Sequence, residues 1–276
     1  MTVGRCHHPV VPRSTGGRRR GIGPTDVAVV LACVLAVLLA GPRPDPPASA
    51  QPDAAGAPAA RQAVLPAVGG PALGVPVLDA DGVQRRLTAS DGPSIALTFD
   101  DGPDPRWTST VLDLLRQYRI RATFCLVGQH VAEHPELVRR IAADGHALCN
   151  HSWSHDEAMQ RSSAASVSAD LARTSRAITE AAGRPPRFYR APAGNWAPSA
   201  VAAARRLQLR LLGWGVDPYD WRRPPTSEII RRVLAGAGPG AIVLLHDGYG
   251  FRGNTVAALR TVLTALAARH LRFATP

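Results

Sequence analysis

The chain has 276 residues, which allows one large domain or two small ones with a buried core, and its formal net charge is +11. The sequence contains no Lys, so all 32 basic residues are Arg. This excess would suit a polyanionic partner such as an acidic cell wall, but no nucleic-acid-binding motif accompanies it. Because no such motif is present, nucleic acid is not the expected partner.

The first 50 residues have the pattern of a targeting segment. Three Arg at 18–20 precede an apolar run at 27–40, and Ala-Ser-Ala follows at 48–50. This pattern predicts a secretory signal peptide at 1–50, and the run is shorter than the about 20 apolar residues that span a membrane. The charged region is long and the cleavage site lies far from the apolar run, so an uncleaved N-terminal anchor is the alternative. Both place the folded domain outside the cytoplasm: secreted or cell-wall associated in the first case, and anchored by the apolar segment in the second.

A spacer is expected between the targeting segment and the folded part. Residues 51–90 are rich in Pro, Ala and Gly, a composition typical of a stiff linker. Residues 75–88 allow a small hairpin around Asp81-Gly82, a common turn dipeptide. The remainder, 91–276, is predicted to form one domain and a monomer, with a membrane contact only through an uncleaved N-terminal segment.

From Ser94 onward, strand-like runs alternate with helix-like stretches. The strand-like runs are 95–99, 122–127, 146–150, 188–190, 209–214, 241–245 and 272–274. The helix-like stretches are 109–118, 135–144, 165–182, 198–207, 226–234 and 255–270. This alternation predicts an α/β fold with a parallel sheet, either open or closed into a barrel.

Polar residues follow most of the predicted strands. They are Asp100-Asp101 after the first strand, His151 after the third, Arg190 at the end of the fourth, Asp217 and Asp220 after the fifth, and His246 after the sixth. The carboxyl ends of parallel strands share one rim, where active sites are built. This convergence weakens the alternative that Asp-Asp-Gly-Pro at 100–103 is only a polar turn.

The pattern also predicts a metal site. Asp100 and Asp101 are adjacent like charges that a cation would stabilise, and His151 and His155 are close enough on a helical turn to bind one cation. Ser152 stands where zincins carry the Glu base, so one Asp is expected to bind metal and the other to act as base. Two His and one carboxylate leave open positions, as hydrolytic metals require. An incidental His-x-x-x-His is the alternative.

His246 supplies a third imidazole that is free to act as an acid. Asp220 is placed to hold its second ring nitrogen and raise its pKa, and Arg190 is placed to keep the non-ligand Asp ionised. The alternatives are an ordinary surface salt bridge for Arg190 and a turn residue for Asp220.

Two of the four cysteines fall outside the targeting segment. Cys125 and Cys149 lie in predicted strands that can be neighbours, and an even pair in an oxidising compartment predicts a disulfide. Two buried free thiols are the alternative.

These residues make the chain resemble the NodB-homology polysaccharide deacetylases of carbohydrate esterase family 4. The resemblance covers residues 94–276 and five motifs in the family's order: TFDDGP at 98–103, HSWSH at 151–155, RAPAG at 190–194, DPYDW at 217–221 and LLHDG at 244–248. It implies a distorted (β/α)7 barrel and hydrolysis of N-acetyl groups on a glycan.

The resemblance also assigns roles to the candidate residues. It implies that Asp100 is the base and His246 the acid. It implies that Asp101, His151 and His155 bind a divalent metal, with zinc favoured over cobalt or another ion.

Further roles that follow from the resemblance concern support and substrate. Arg190 would orient Asp100. Asp220 and Trp221 would support His246 and form one pocket wall. Leu244 would line the acetyl pocket. The third motif often has an aromatic residue where this chain has Ala193. The Ala193 N–H expected to stabilise the oxyanion remains, whereas a sugar contact from the ring is lost.

Secretion, the spacer and the basic domain favour peptidoglycan as the substrate. Chitin oligosaccharides come second and acetylated xylan third. A glycan-binding module that has lost catalysis is the alternative of another class, but no motif residue for metal, base or acid is missing.

Overall fold

The computed structural model describes residues 78–87 and 93–276. The predicted targeting segment at 1–50, and all of the spacer before residue 78, lie outside the described residues. Within the described residues, no helix is long and apolar enough to cross a membrane.

Seven parallel strands in the described part of the chain form one sheet. They are β1 (Ser94–Asp100), β2 (Thr123–Leu126), β3 (Ala147–Asn150), β4 (Phe188–Tyr189), β5 (Arg210–Leu211), β6 (Ile242–His246) and β7 (Arg272–Phe273). The order is β5-β4-β3-β2-β1-β6, and β7 pairs with the start of β1. The longest ladder joins β1 to β6 and brings Asp100 opposite His246.

Seven α-helices connect these strands. They are α1 (Trp107–Gln117), α2 (Gly128–Glu133), α3 (Pro135–Ala143), α4 (Ala164–Ala182), α5 (Pro198–Arg206), α6 (Thr226–Gly236) and α7 (Gly253–Ala268). Six agree with the predicted helices to within two residues at each end. The helix α2 was not predicted, because it is too short to show a helical period and has no side-chain N-cap.

The sheet curls into the distorted barrel that the family resemblance implied. Between the β5 and β6 edges the strands are joined only by single bridges, which link Gln84 to Leu212, Arg86 to Ala241, and Val216 to Val243. The segment 84–86 therefore reaches both edges of the sheet. It is preceded by a turn in which Leu78 pairs with Gln84 around Gly82, whose φ is +76°.

The two faces of the strands have different surroundings, because successive side chains point to opposite sides. Ile95, Leu97 and Phe99 belong to the large core beneath the helices, whereas Ala96 belongs to a small cluster inside the curl. Every second residue after Ala96 lies on the same inner face, so Asp100 lies on it at the carboxyl end of β1. Phe188 and Ile242 belong to the same inner cluster as Ala96. Arg190 lies two residues after Phe188 and His246 four residues after Ile242, so both lie on the inner face as well.

The two described cysteines lie on this inner face. Cys125 in β2 and Cys149 in β3 are paired in register, with their Cα atoms 4.2 Å apart, and they form a disulfide. The bond links neighbouring strands directly below the rim that carries the polar residues.

Candidate active site and metal centre

A cleft of about 700 Å³ opens at the carboxyl ends of the strands. Eight of the ten residues to which the sequence analysis gave a role in the site line it: Asp100, Asp101, His151, His155, Ala193, Trp221, Leu244 and His246. The other two, Arg190 and Asp220, lie behind the lining and bond to Asp100 and His246. The fold therefore brings all ten together.

Asp101, His151 and His155 form a cluster suited to a metal ion. One ligand atom from each lies within 4.8 Å of the others. The Oδ1 atom of Asp101 is 3.6 Å from His151 Nε2 and 3.4 Å from His155 Nε2, and it is buried without a hydrogen-bond partner. A buried carboxylate oxygen without a donor is costly. A divalent cation between this oxygen and two imidazoles fits the donor set.

The segment that carries the two histidines is a loop, so the expected helical turn is wrong. Ser152 and His155 have φ values of 64° and 56°, in the left-handed region. The Nδ1 atom of His151 lies 2.8 Å from the carbonyl oxygen of Arg190. Because that oxygen can only accept, Nδ1 carries the proton and Nε2 keeps its lone pair for a cation. Burial lowers the pKa of His151, which favours the neutral, ligating form.

Two glycines explain how the chain fits around Asp101. A Cβ atom at Gly248 would collide with the carbonyl group of Asp101, and one at Gly102 would lie 2.7 Å from the Asp247 carboxylate. Asp101 itself has a φ of 76°, and its carbonyl oxygen lies 2.8 Å from His130 Nδ1. The glycines of the first and fifth motifs therefore permit close contact between the loops after β1 and β6.

Asp100 is held by a fully buried arginine. Arg190 Nη1 donates to Asp100 Oδ1 at 2.7 Å and to Thr98 Oγ1 at 2.8 Å, while Nε and Nη2 donate to the carbonyls of Leu212 and Gly213. Burial alone would raise the pKa of Asp100, but the Arg190 guanidinium and two nearby imidazoles hold it below its usual value. Arg190 is thus not a surface salt bridge, and Asp100 is ionised at neutral pH.

His246 is held by a buried carboxylate. Asp220 Oδ1 lies 2.7 Å from His246 Nδ1, and Asp220 Oδ2 accepts hydrogen bonds from the His246 amide and from Thr255 Oγ1, both at 2.9 Å. Burial would lower the pKa of His246, but the carboxylates of Asp220, Asp101 and Asp100 together outweigh it, Asp220 most strongly, and the pKa rises to about 9. The imidazole is therefore protonated at neutral pH, with Nδ1 engaged by Asp220.

Two buried charged residues were missed by the sequence analysis. Arg252 donates from Nε to the Gly248 carbonyl at 2.7 Å, and its Nη2 lies 3.6 Å from Asp101 Oδ2. Asp247 accepts from Thr108 Oγ1 at 2.6 Å, and burial raises its pKa to about 7. Asp247 lies within the fifth motif, whereas nothing in the sequence around Arg252 signalled a site.

The walls of the cleft carry the remaining candidates. Leu244 is buried and pairs with Thr98 across the β1–β6 ladder, whereas Trp221 is exposed. Ala193 has a φ of 51°, and the neighbouring Gly194 packs against the Trp214 ring. These residues supply the apolar part of the cleft lining.

The chain is also similar to known proteins. The family model described as "Polysaccharide deacetylase" matches residues 88–212. A chitooligosaccharide deacetylase from Bradyrhizobium sp. (strain ANU 289) is 43% identical over 188 residues, covering 64% of this chain and 85% of that protein. A peptidoglycan-N-acetylglucosamine deacetylase from Bacillus cereus is 40% identical over 183 residues, covering 66% of this chain and 85% of that protein.

A solved structure shares the fold as well. The family 4 carbohydrate esterase from Streptomyces lividans, determined in complex with acetate, has a TM-score of 0.61 and 33% sequence identity. The match covers 66% of this chain and 91% of that chain.

Proposed function

The chain belongs to the polysaccharide deacetylase family, carbohydrate esterase family 4, whose enzymes hydrolyse N-acetyl groups of glycans, and we propose that peptidoglycan is its substrate and zinc its metal. One observation carries the proposed chemistry: a metal-type cluster, a buried base and a buried acid face the same cleft. The N-terminal sequence supports the further proposal that the domain works outside the cytoplasm.

Asp101, His151 and His155 are the residues that would hold the metal. Two imidazoles and a carboxylate are ligands that zinc accepts, and three protein ligands leave a position open. When bound, such a cation polarises the acetyl carbonyl and lowers the pKa of a water molecule.

Asp100 acts as the general base. Its carboxylate lines the cleft and is kept ionised by Arg190, so it accepts the proton of the water that attacks the acetyl carbon. Four hydrogen bonds fix the guanidinium, which limits the positions that the carboxylate can take. The N–H of Ala193 donates to the developing oxyanion, a kind of contact that can be worth about 3 kcal/mol.

His246 acts as the general acid. Because an amine is a poor leaving group without a proton, the reaction needs a protonated group on the cleft side at neutral pH. The Asp220 carboxylate meets this need by raising the pKa of His246 to about 9. Transfer of the proton to the nitrogen completes the cleavage and gives acetate and a free amino sugar.

Acetate release from defined polymers tests the substrate. Purified protein is incubated with added Zn²⁺ or Co²⁺ and with peptidoglycan, N-acetylglucosamine oligomers or acetylated xylan. We expect the highest kcat/KM on peptidoglycan, which the predicted export and the basic charge support. A higher value on the oligomers or on xylan would overturn the substrate proposal. Glycan binding without acetate release on any polymer would identify an inactive binding module.

The metal site has its own test. His151→Ala removes one imidazole from the cluster and should lower Zn²⁺ affinity at least about 10-fold, measured by calorimetry. The exposed His270→Ala, on a surface away from the cleft, serves as the matched control. Unchanged Zn²⁺ affinity in His151→Ala would remove this residue from the site.

A further inference from the structure

Exposed aromatic rings are concentrated beside the cleft. In the described part of the chain, five large hydrophobic side chains are exposed, and four are aromatic residues in two loops: Tyr219 and Trp221 after β5, and Tyr249 and Phe251 after β6. The fifth, Leu78, lies in the turn at the start of the described residues and does not line the cleft. Exposed apolar groups gathered at one place mark a binding surface rather than a folding requirement.

The loop after β6 is held in a defined conformation. Trp107 Nε1 donates to the Gly250 carbonyl at 2.7 Å, and Arg252 Nε donates to the Gly248 carbonyl at 2.7 Å. The Phe251 ring packs edge-on against the Trp107 ring, with centroids 5.3 Å apart. Phe251 is nevertheless 50% exposed. A ring fixed in this way loses little conformational entropy when a ligand packs on it.

Tyr249 connects this loop to the cleft. Its ring lines the cleft and packs 4.8 Å from the His130 ring and 5.3 Å from the ring of His155. The six-residue loop 247–252 therefore carries one ring in the cleft wall and, two residues later, a second ring beside Trp107. A molecule that fills the cleft and extends beyond it on this side meets both.

We propose that Trp107, Tyr249 and Phe251, the aromatic rim, form a subsite that binds a further sugar unit of the glycan whose acetylated sugar occupies the cleft. The proposal rests on the function proposed above and specifies where the rest of the polymer lies. A pyranose ring presents a face of C–H groups, which packs on the face of an aromatic ring while its hydroxyls stay in water. Among the described residues around the cleft, the large hydrophobic side chains that are exposed are all aromatic, which favours a sugar over an apolar protein surface.

A chain-length series tests the aromatic rim. The substrates are N-acetylglucosamine oligomers of one to five units, assayed for acetate release with added Zn²⁺. We expect KM of the wild type to fall when the oligomer becomes long enough to reach the rim. For those longer oligomers, Phe251→Ala should raise KM roughly 2- to 10-fold while changing kcat far less. Phe251→Tyr should restore the wild-type KM. Phe251 is preferred to Tyr249 because Tyr249 contacts His155.

Leu78→Ala is the matched control, because Leu78 is 51% exposed and Phe251 50%. It should leave the chain-length dependence unchanged. The same dependence in Phe251→Ala and wild type would overturn the subsite. If neither the oligomers nor peptidoglycan releases acetate, the proposed function fails. Calorimetry with the pentamer then tests the rim separately, and equal affinity of wild type and Phe251→Ala would overturn it.

Discussion

Two buried ion pairs lie at the same rim of the sheet and differ in which partner is left free to react. In the first, Arg190 makes four hydrogen bonds and serves as the fixed support, while Asp100 faces the cleft. In the second, Asp220 accepts three hydrogen bonds and is the support, while His246 faces the cleft. In both pairs, the residue with several hydrogen bonds supports the residue that faces the cleft.

This difference divides the acid from the base. A fixed cation holds the pKa of Asp100 below its usual value, although burial opposes it. A fixed carboxylate, assisted by the charges of Asp101 and Asp100, raises the pKa of His246 to about 9, although burial opposes that too. At neutral pH the two groups in one cleft are therefore in opposite protonation states, as general base and general acid catalysis require.

Removing the base should have the largest effect. Asp100→Asn keeps the shape of the side chain and an acceptor for Arg190 but cannot take a proton, so kcat should fall by about 10²- to 10⁴-fold. Acetate release measures the loss, and Zn²⁺ affinity should stay within about threefold of wild type, since Asp100 is not in the metal cluster. Full activity of this variant would show that another group is the base.

Removing Arg190, the supporting residue of the first pair, should lower the stability of the folded protein. Arg190→Met leaves Asp100 buried without its cation and leaves the Leu212 and Gly213 carbonyls without their donor. We expect the free energy of unfolding to fall by about 3–5 kcal/mol, measured by urea denaturation. The exposed Arg206→Met should change it by less than about 0.5 kcal/mol. Equal stability of the two variants would mean that the buried pair contributes no more than a surface charge.

The leaving group distinguishes the two pairs. In His246→Gln, hydrolysis of an N-acetyl substrate should fall by about 10²-fold. Hydrolysis of 4-nitrophenyl acetate should fall much less, because its leaving group needs no proton. Asp100→Asn should slow both substrates. If His246→Gln slowed both substrates equally, His246 would not be the acid.

The sequence predicted most of the fold because its signals are local. The alternation of runs gave the parallel sheet, and period two within Ile95–Phe99 separates a helix-facing side from an inner side. The expected helical turn at 151–155 was wrong, because a four-residue spacing does not specify the left-handed φ values of Ser152 and His155. α2 was missed because two turns of helix carry no clear period.

Site residues that directly follow strands could be predicted from the sequence. Site residues that reach the site through contacts between distant segments could not. Asp100, His151 and His246 all lie at the carboxyl ends of strands, so topology alone brings them together. Arg252 lies directly before α7, and a hydrogen bond to the Gly248 carbonyl holds its guanidinium near Asp101. No local sequence pattern indicates this contact. The division of roles between Asp100 and Asp101 came from family resemblance. In the structure, only Asp100 bonds to Arg190, and Asp101 joins the metal-type cluster.

The pH dependence of kcat/KM in wild type and Asp220→Asn tests the division between the two pairs most directly. In wild type, activity should fall as pH rises through about 9, because His246 then loses its proton. Asp220→Asn replaces the carboxylate that raises this pKa, so the alkaline limb should move to lower pH, while the acidic limb, which reflects Asp100, should stay in place. An alkaline limb at the same pH in both proteins would contradict the account.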